Sequence, residues 1–542
     1  MLVSLKNVVK YVQDRCLFKI ESLRVCEGDR IGIVGRNGAG KSTLLGMLAG
    51  TIQPDAGDVR RCRPCSYIAQ FDAVNRAAQA GSVAGKHFAA KEEYHEFMSG
   101  GEKIRYRLAA AFSEESPLLL ADEPTASLDV SGVVQLQAQL QNYRGAFVLV
   151  SHDRQLLDEV CNVIWEINAG RLQVYPGNYS NFLTQREIEE KQRAREYEKY
   201  ISAKKQLELA VIDRQARSAS TRKTPKRMGN SEARLHKMGN QKAKANLDKA
   251  VQGLESRLAQ LAVKEKPKAV PTVDFNLGKA EGLYSKAVIR GEGINKSFGR
   301  HMLFNNVDFT ILRGHKVALL GDNGCGKTTF LKMILGREDG IFVSPAARIG
   351  YFAQGMDDLK HDRSILHNIM AVSVHEEGFV RQLLARLLFR RDDVHKPVGV
   401  LSGGERGRVA LAKIMVSEAN VLLLDEPTNF LDLPSLEALE HVLAEYNGTI
   451  LFASHDRRFM NKLATQLMVF TRAGIETFTG NCEQYLQAGQ GEEAPKNKLP
   501  QEEQLLREYR LSEVLSRIST ARDKDELARL DTEYRRLLTQ GK

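Results

Sequence analysis

Gly35-Arg-Asn-Gly-Ala-Gly-Lys41-Ser42 follows an apolar run, Ile31 to Val34, and opens a helical pattern of Leu44, Leu45 and Leu48. A strand, a glycine-rich loop and a helix in that order form a phosphate-binding loop. Gly35, Gly38 and Gly40 let successive backbone N–H groups, Asn37 and Thr43 among them, wrap anionic oxygens. The helix N-terminus adds a favourable dipole, Lys41 reaches the outer phosphates, and the Ser42 hydroxyl suits Mg²⁺. A second string, Gly321-Asp-Asn-Gly-Cys-Gly-Lys327-Thr328, stands between Val317–Leu320 and the helical pattern Phe330, Leu331, Ile334. It offers Asn323, Gly324, Gly326, Lys327, Thr328 and Thr329 in the matching places. One such string can arise by chance, but two in the same context cannot be dismissed so.

The pairing extends along both halves. Ser99-Gly100-Gly101-Glu102 matches Ser402-Gly403-Gly404-Glu405, Asp122-Glu123-Pro-Thr125 matches Asp425-Glu426-Pro-Thr428, Leu128-Asp129 matches Leu431-Asp432, and Ser151-His152-Asp153 matches Ser454-His455-Asp456. These pairs share an offset of 303 residues, so the second half repeats the first. Upstream the offset is 284 for Gln70 and Gln354, which leaves 19 extra residues in the second copy before its Ser-Gly-Gly.

Each copy holds the parts of phosphoryl transfer to water. Leu118-Leu-Leu and Val421-Leu-Leu-Leu424 read as buried strands that deliver Asp122 and Asp425 to the Mg²⁺ shell. Glu123 and Glu426, one residue on, sit where a carboxylate orients or deprotonates the attacking water. His152 and His455 each end an apolar strand near the γ-phosphate. A lone histidine is usually structural, whereas two at one offset from a carboxylate pair point to function.

Between the copies, residues 181–270 carry 22 Lys and Arg against 11 Asp and Glu, an excess of +11 that equals the net charge of the whole chain. The peak runs from Arg214 to Lys249, including Arg222, Lys223, Lys226, Arg227, Arg234 and Lys237, with only Glu232 and Asp248 opposed. Leu247, Val251, Leu254, Leu258 and Leu261 recur at spacings of 4, 3, 4 and 3, the seam of a packed helix pair. A charged helix from about Tyr179 to Arg217 offers Ile188, Tyr197, Ile201, Leu207 and Val211 as its partner seam, and Ser218 to Pro225 breaks it. The reading is a long antiparallel hairpin, reaching about 55 Å, with a basic tip that attracts RNA phosphate whatever the sequence.

Composition narrows the classes. No apolar run approaches the ~18 residues of a membrane span, and the start goes straight into strand pattern, so neither a membrane protein nor a secreted one is expected. Seven cysteines, an odd and scattered set, fit a reducing compartment, and Cys62 with Cys65 make one CxxC without the second pair that zinc needs.

The full set resembles the ATP-binding cassette fold, here twice on one chain: an α/β protein of two tandem P-loop ATP-binding cassette domains joined by a long α-helical hairpin linker. The resemblance implies a monomer whose cassettes pair head to tail over two ATP molecules. Lys41, Ser42, Gln70, Glu123 and His152 would face Ser402, Gly403 and Gly404. Lys327, Thr328, Gln354, Glu426 and His455 would face Ser99, Gly100 and Gly101. Ser42, Gln70, Thr328 and Gln354 would serve the metal, and Tyr11 and Phe298 stand where the family stacks an aromatic on adenine.

Tandem cassettes with a basic helical linker resemble the ABC-F proteins, cytoplasmic ATPases that bind the ribosome. Tyr175-Pro-Gly-Asn-Tyr179, the linker string Met228 to Lys237 and Asp425-Glu-Pro-Thr-Asn-Phe-Leu-Asp432 carry that likeness over roughly residues 1–487. The domains are then 1–180 for cassette one, 181–285 for the basic hairpin linker, 286–487 for cassette two and 488–542 for a helical C-terminal extension. The family inserts its hairpin through the transfer-RNA exit site of the bacterial ribosome toward the peptidyl-transferase centre, so ribosomal RNA and transfer RNA are the implied partners, with no DNA and no membrane. Only 28 residues separate Gln70 from Ser99, leaving no room for the arm of the housekeeping members, the linker is long, and Phe430 replaces the usual histidine. These features resemble the antibiotic-resistance members, and the short polar loop favours an indirect action of the phenicol and oxazolidinone kind. The rival readings are a housekeeping translation factor of the same family acting on stalled ribosomes and, in another class, the ATPase subunit of a membrane transporter.

Overall fold

The computed structural model describes residues 1–69, 88, 97–114, 116–220, 230–261, 264, 286–299, 301–353, 359–389, 391–429, 431–471 and 474–488, with the backbone alone for 220, 230–244, 301 and 391. Gln70, Gln354, Phe430 and the tip residues Arg222, Lys223, Lys226 and Arg227 lie outside this set, as do residues 489–542.

The first half runs β1 (Val3–Val12), β2 (Arg15–Val25), β3 (Arg30–Gly35), α1 (Lys41–Ala49), β4 (Ala56–Arg61), β5 (Ser66–Ile68), α2 (Gly100–Ser113), β6 (Leu118–Asp122), α3 (Val130–Gln141), β7 (Ala146–Val150), α4 (Arg154–Val160), β8 (Val163–Asn168) and β9 (Arg171–Pro176). One nine-stranded sheet takes the order β4-β1-β2-β9-β8-β3-β7-β6-β5. Its working part is parallel: β5, β6, β7, β3 and β8 run side by side. Strands so placed are covered on both faces, which is why Leu118–Leu120 and Phe147–Val150 are continuous apolar runs and fully buried.

After the hairpin the second half repeats the plan. β10 (Ala287–Phe298), β11 (His301–Leu312), β12 (Lys316–Leu320), α7 (Lys327–Gly336), β13 (Ile341–Val343) and β14 (Ile349–Phe352) are followed by α8 (Ile365–Met370), α9 (Glu377–Arg386) and two short 3₁₀ turns. Then come α10 (Gly403–Met415), β15 (Val421–Asp425), α11 (Leu433–Ala444), β16 (Thr449–Ala453), α12 (Arg457–Leu463), β17 (Gln466–Thr471) and β18 (Gly474–Thr479). Here the sheet is divided, β11-β10-β13 and β14-β15-β16-β12-β17-β18. In the first half the corresponding division is bridged by a single residue pair, Lys19 with Arg171. A separate compact unit begins at Cys482, and its described part is one short helix, Cys482–Ala488.

The linker is two long helices, one of 42 residues (Tyr179–Ser220) and one of 31 (Asn230–Gln260). Glu196 meets Lys264, Gln215 meets Glu255 and Ser218 meets Asp248, so the partner rises as the first number falls and the pair is antiparallel. Val251 and Leu254 are buried and Leu247 and Leu258 half-buried, the seam expected of the second helix. The first helix departs from expectation. Ile188 and Ile201 point to solvent, 59% and 42% exposed. Tyr197, Leu207 and Val211 are half-buried as expected, and Tyr200, Ala203, Lys204 and Ala210 complete that side in place of the isoleucines. The lysine stem and the two tyrosines cover apolar surface while keeping their polar ends wet, so an isoleucine is not needed there. The helix also outruns the expected break, because buried Ser218 donates to Asp248 at 2.6 Å and extends the pairing to the last turn. Among the described residues no helix is long and apolar enough to cross a membrane.

Candidate active site

The functional side chains gather at the carboxyl ends of the parallel strands, the edge where open α/β sheets hold ligands. Gly40 and Gly326, at the mouths of α1 and α7, have φ of 100° and 104°, and a Cβ there would meet the Phe18 or Phe304 ring at 2.8 Å. Only glycine allows the loop to lie that close. Lys41 and Lys327 are buried, and each folds back on its own loop, Lys41 Nζ donating to Gly35 O (2.8 Å) and Lys327 Nζ to Gly321 O (2.7 Å).

One residue beyond β6 and β15, Glu123 and Glu426 have φ of 49° and 50°. A left-handed backbone costs a side-chain-bearing residue about 1–2 kcal/mol. It is held because Glu123 N–H donates to Val150 O (2.9 Å) and Glu426 N–H to Ala453 O (3.0 Å), each one step past the ladder with the neighbouring strand. The turn aims both carboxylates back at the loops. Nε2 of His152 lies 3.2 Å from Glu123 Oε1, and Nε2 of His455 lies 3.3 Å from Glu426 Oε1. Burial pushes Glu123 up to about 8 and Glu426 up to about 7, against the pull of Lys41 and Lys327. Burial takes the histidines the other way, His152 down to about 3 and His455 down to about 4, with the nearby lysines adding to the fall. Each site therefore pairs a carboxyl poised near neutrality with an imidazole that stays uncharged.

Asp122 and Asp425 end their strands buried, and burial raises both, opposed by the hydroxyl of Ser42 on Asp122 and of Thr328 on Asp425 (3.1 Å). Asp122 Oδ1 has no hydrogen-bond partner. A hydroxyl and a carboxylate with an orphaned buried oxygen are hard oxygen donors and fit Mg²⁺. Among the described residues no cluster of three or more His, Cys, Asp or Glu could hold a metal alone, which suits an ion that keeps waters and shares phosphate oxygens.

The two halves meet across these sites. A cleft of about 720 Å³ is lined by Phe298, Asn323, Lys327, Thr328, Glu426 and His455 from the second half and by Ser99, Gly100, Gly101, Ala126 and Ser127 from the first. Gly324, Gly326, Thr329 and Asp425 line it too. Ser99 and Ser402 each cap their helix in a full capping box with Glu102 and Glu405, so the Ser-Gly-Gly-Glu strings are helix starts whose N–H groups and dipoles point outward. In this cleft the N-terminus of α2 faces the opposite phosphate loop, and a Cβ on Gly101 would come within 3.2 Å of Asn323 Nδ2. Phe298 is 58% exposed at the rim, as a stacking platform must be, and Tyr11 is 45% exposed on the matching strand.

Two residues that the repeat marked but chemistry did not prove central. Asp129 caps α3 through Gly132 N–H, and its second oxygen accepts Asn323 N–H of the other half (3.3 Å). Asp432 caps α11 through Ser435 N–H and accepts Asn37 N–H (3.1 Å). Their position after each acidic strand was the available signal. Arg105 reinforces Asp129 with 2.7 and 2.9 Å contacts to both oxygens. Its counterpart Arg408 turns instead to Leu387 O (2.6 Å) and the Phe389 ring.

A family model described as ABC transporter matches residues 18–126 and 304–429, and a second with the same description matches 165–275. The ribosome protection protein VmlR of Bacillus subtilis (strain 168) is 36% identical over 493 residues, covering 88% of this chain and 88% of its own. The erythromycin resistance ATP-binding protein MsrA of Staphylococcus epidermidis is 34% identical over 467 residues, 85% of this chain and 96% of its own. Among solved structures, the archaeal ribosome recycling factor aABCE1 superposes with a TM-score of 0.60 at 19% identity, covering 89% and 92% of the two chains, a likeness of fold. With the sites built as described, this chain belongs to the ABC-F family of tandem-cassette ATP hydrolases.

Proposed function

We propose that the chain is a ribosome-binding ATPase that protects the peptidyl-transferase centre from antibiotics, closing its cassettes on ATP and released by hydrolysis. The observation that carries the reading is the antiparallel hairpin, whose 22 basic residues against 11 acidic stand on a cassette pair of balanced charge. The names of the relatives, a ribosome protection protein and an erythromycin resistance protein, favour the same direction. Arg222, Lys223, Lys226, Arg227, Arg234 and Lys237 would neutralise phosphates of ribosomal RNA and transfer RNA, in the exit-site region of a bacterial ribosome, with the chain acting as a cytoplasmic monomer. Phenicols and oxazolidinones are the drugs most suited to an indirect action by a short polar tip.

In this reading the residues divide by chemistry. Residues 1–180 and 286–487 act as the cassettes, 181–285 as the hairpin and 488–542 as the extension. Tyr11 and Phe298 stack on adenine, the loop N–H groups with Lys41 and Lys327 hold the phosphates, and Ser99–Gly101 and Ser402–Gly404 close on the γ-phosphate from the opposite half. Ser42 with Asp122 and Thr328 with Asp425 would hold Mg²⁺, with Gln70 and Gln354 beside them. Mg²⁺ held there would supply stabilisation of the charge that develops on the transferring phosphoryl group. Glu123 and Glu426 accept the proton of the attacking water. His152 and His455 stay neutral and orient that water and the γ-phosphate.

The test is growth of a susceptible bacterium carrying the gene across a panel of peptidyl-transferase-centre drugs, with Glu123→Gln/Glu426→Gln as control. Tolerance that requires both glutamates is expected. No shift for any drug, with sedimentation on ribosomes intact, would replace protection by the housekeeping role. Failure to sediment with ribosomes would favour a transporter subunit.

A further inference from the structure

α11 grips the first cassette at two points. Asp432 at its N-cap takes the Asn37 N–H of the first phosphate loop. Eight residues on, about 12 Å along the axis, Glu440 meets Arg154, which stands two residues past His152. Both members of that pair are only 2% exposed. Arg154 also lies 3.4 Å from Asp456 Oδ2, and Lys462 Nζ reaches the other Glu440 oxygen at 3.0 Å.

The 303-residue offset supplies a built-in control. Arg457, Gln137 and Glu159 occupy the places of Arg154, Glu440 and Lys462. There Arg457 Nη2 donates to the neutral Gln137 Oε1 at 3.0 Å, and Gln137 Nε2 turns to Glu159, which also accepts from Gln155 at 2.9 Å. Among the described residues no carboxylate lies within ion-pairing distance of Arg457. One contact between the halves is thus a buried ion pair with further partners at both ends, and the related one is a single bond to a half-buried amide. A buried pair offsets its desolvation when both charges have such additional partners.

We propose that Arg154 and Glu440 are a one-sided latch, a pair of positioning residues that holds the site of Lys41, Glu123 and His152 against the second cassette. The other site, joined through Asn323 and Asp129, is then the first to open. The latch rests on the composite-site reading given above.

The test uses the full chain in two parents, Glu123→Gln and Glu426→Gln, which keep unhydrolysed ATP in the first or the second site. Labelled ATP is loaded and its release followed after a chase with unlabelled ATP. Arg154→Ala is expected to speed release from the first parent by about tenfold or more and from the second by less than about twofold. Glu440→Gln, which copies the amide of the other site, is expected to do the same and carries the test if Arg154→Ala fails to fold. Arg154→Lys, which keeps the charge beside Glu440 and Asp456, should hold ATP better than Arg154→Met, which keeps only the bulk, a difference that a purely space-filling arginine would not give. Gln137→Glu with Glu159→Lys moves the latch to the other site and should slow release from the Glu426→Gln parent. Equal acceleration in both parents, or no difference between Arg154→Lys and Arg154→Met, would overturn the latch. A parent that keeps no ATP would overturn the composite sites, and the latch with them.

Discussion

Among the described residues the two candidate ATP sites repeat the same loop, acidic strand and histidine and differ in the contacts that join the halves. Both have a lysine folded on its loop, a glutamate at left-handed φ, a neutral histidine beside it and a capping box opposite. Around them the wiring diverges. Asp129 is clasped by Arg105, whereas Asp432 relies on its own helix and on Asn37, while Arg408 anchors to Leu387 in the segment between Gln354 and Ser402 that is 19 residues longer in the second half. The Arg154–Glu440 pair has no ionic counterpart. Duplication preserved the chemistry, and divergence acted on how firmly each site is closed.

The comparison can be broken most directly at the glutamates. Glu123→Gln and Glu426→Gln should each silence their own site by about 10²-fold or more, the scale of a lost general base, and steady-state phosphate release should fall by unequal amounts in the two variants. Equal losses would argue that the sites turn over independently. A medium effect is expected from the bridging aspartates. Asp129→Ala loses an N-cap of about 1 kcal/mol and the Asn323 contact and also leaves the half-buried Arg105 without its carboxylate, whereas Asp432→Ala loses the matching cap and Asn37 contact without stranding an arginine bonded to it, so thermal unfolding should be lowered more by the first. A similar drop for both would mean that Arg105 finds another partner.

The smallest effect concerns pH. Burial alone would raise Glu440, but Arg154 and Lys462 hold it below the ordinary carboxylate range. A depressed acid contributes stability that is present above its unfolded pKa, about 4.3, and is lost as pH falls through the lower folded value. Arg154→Ala should therefore reduce the melting temperature clearly at pH 7 and by progressively less as the pH falls below about 4. A deficit that stays constant across that range would count against the ionic account.

The legibility of this chain follows the distance between interacting residues. The loops, acidic strands and histidines could be read because each is a contiguous string whose backbone geometry is local. The Ser-Gly-Gly-Glu strings were legible as repeats, and the resemblance set them across from the opposite loops; the structure adds the reciprocal Glu102 and Glu405 contacts that make them capping boxes. The 19 extra residues were visible as a number, yet nothing in the longer segment between Gln354 and Ser402 announced that Leu387 would take Arg408. Arg154 and Glu440 stand 286 positions apart, so no window of sequence contains both. On the hairpin, Tyr197, Leu207 and Val211 were legible as seam, whereas Ile188 and Ile201 face solvent and Tyr200 and Lys204 are half-buried in their stead.

The root of that hairpin has a mechanical consequence. Ser180 binds Asp158 of α4 twice, at 2.6 and 2.9 Å, within the first turn of the 42-residue helix. α4 is the same helix whose first residue is Arg154. A helix of that length spans about 63 Å, so a tilt of α4 by ~0.1 radian, too small to break either contact, would swing the far end by about 6 Å. The hairpin works as an oar does: a short throw at the oarlock, set by which cassette contacts hold, becomes a long stroke at the blade.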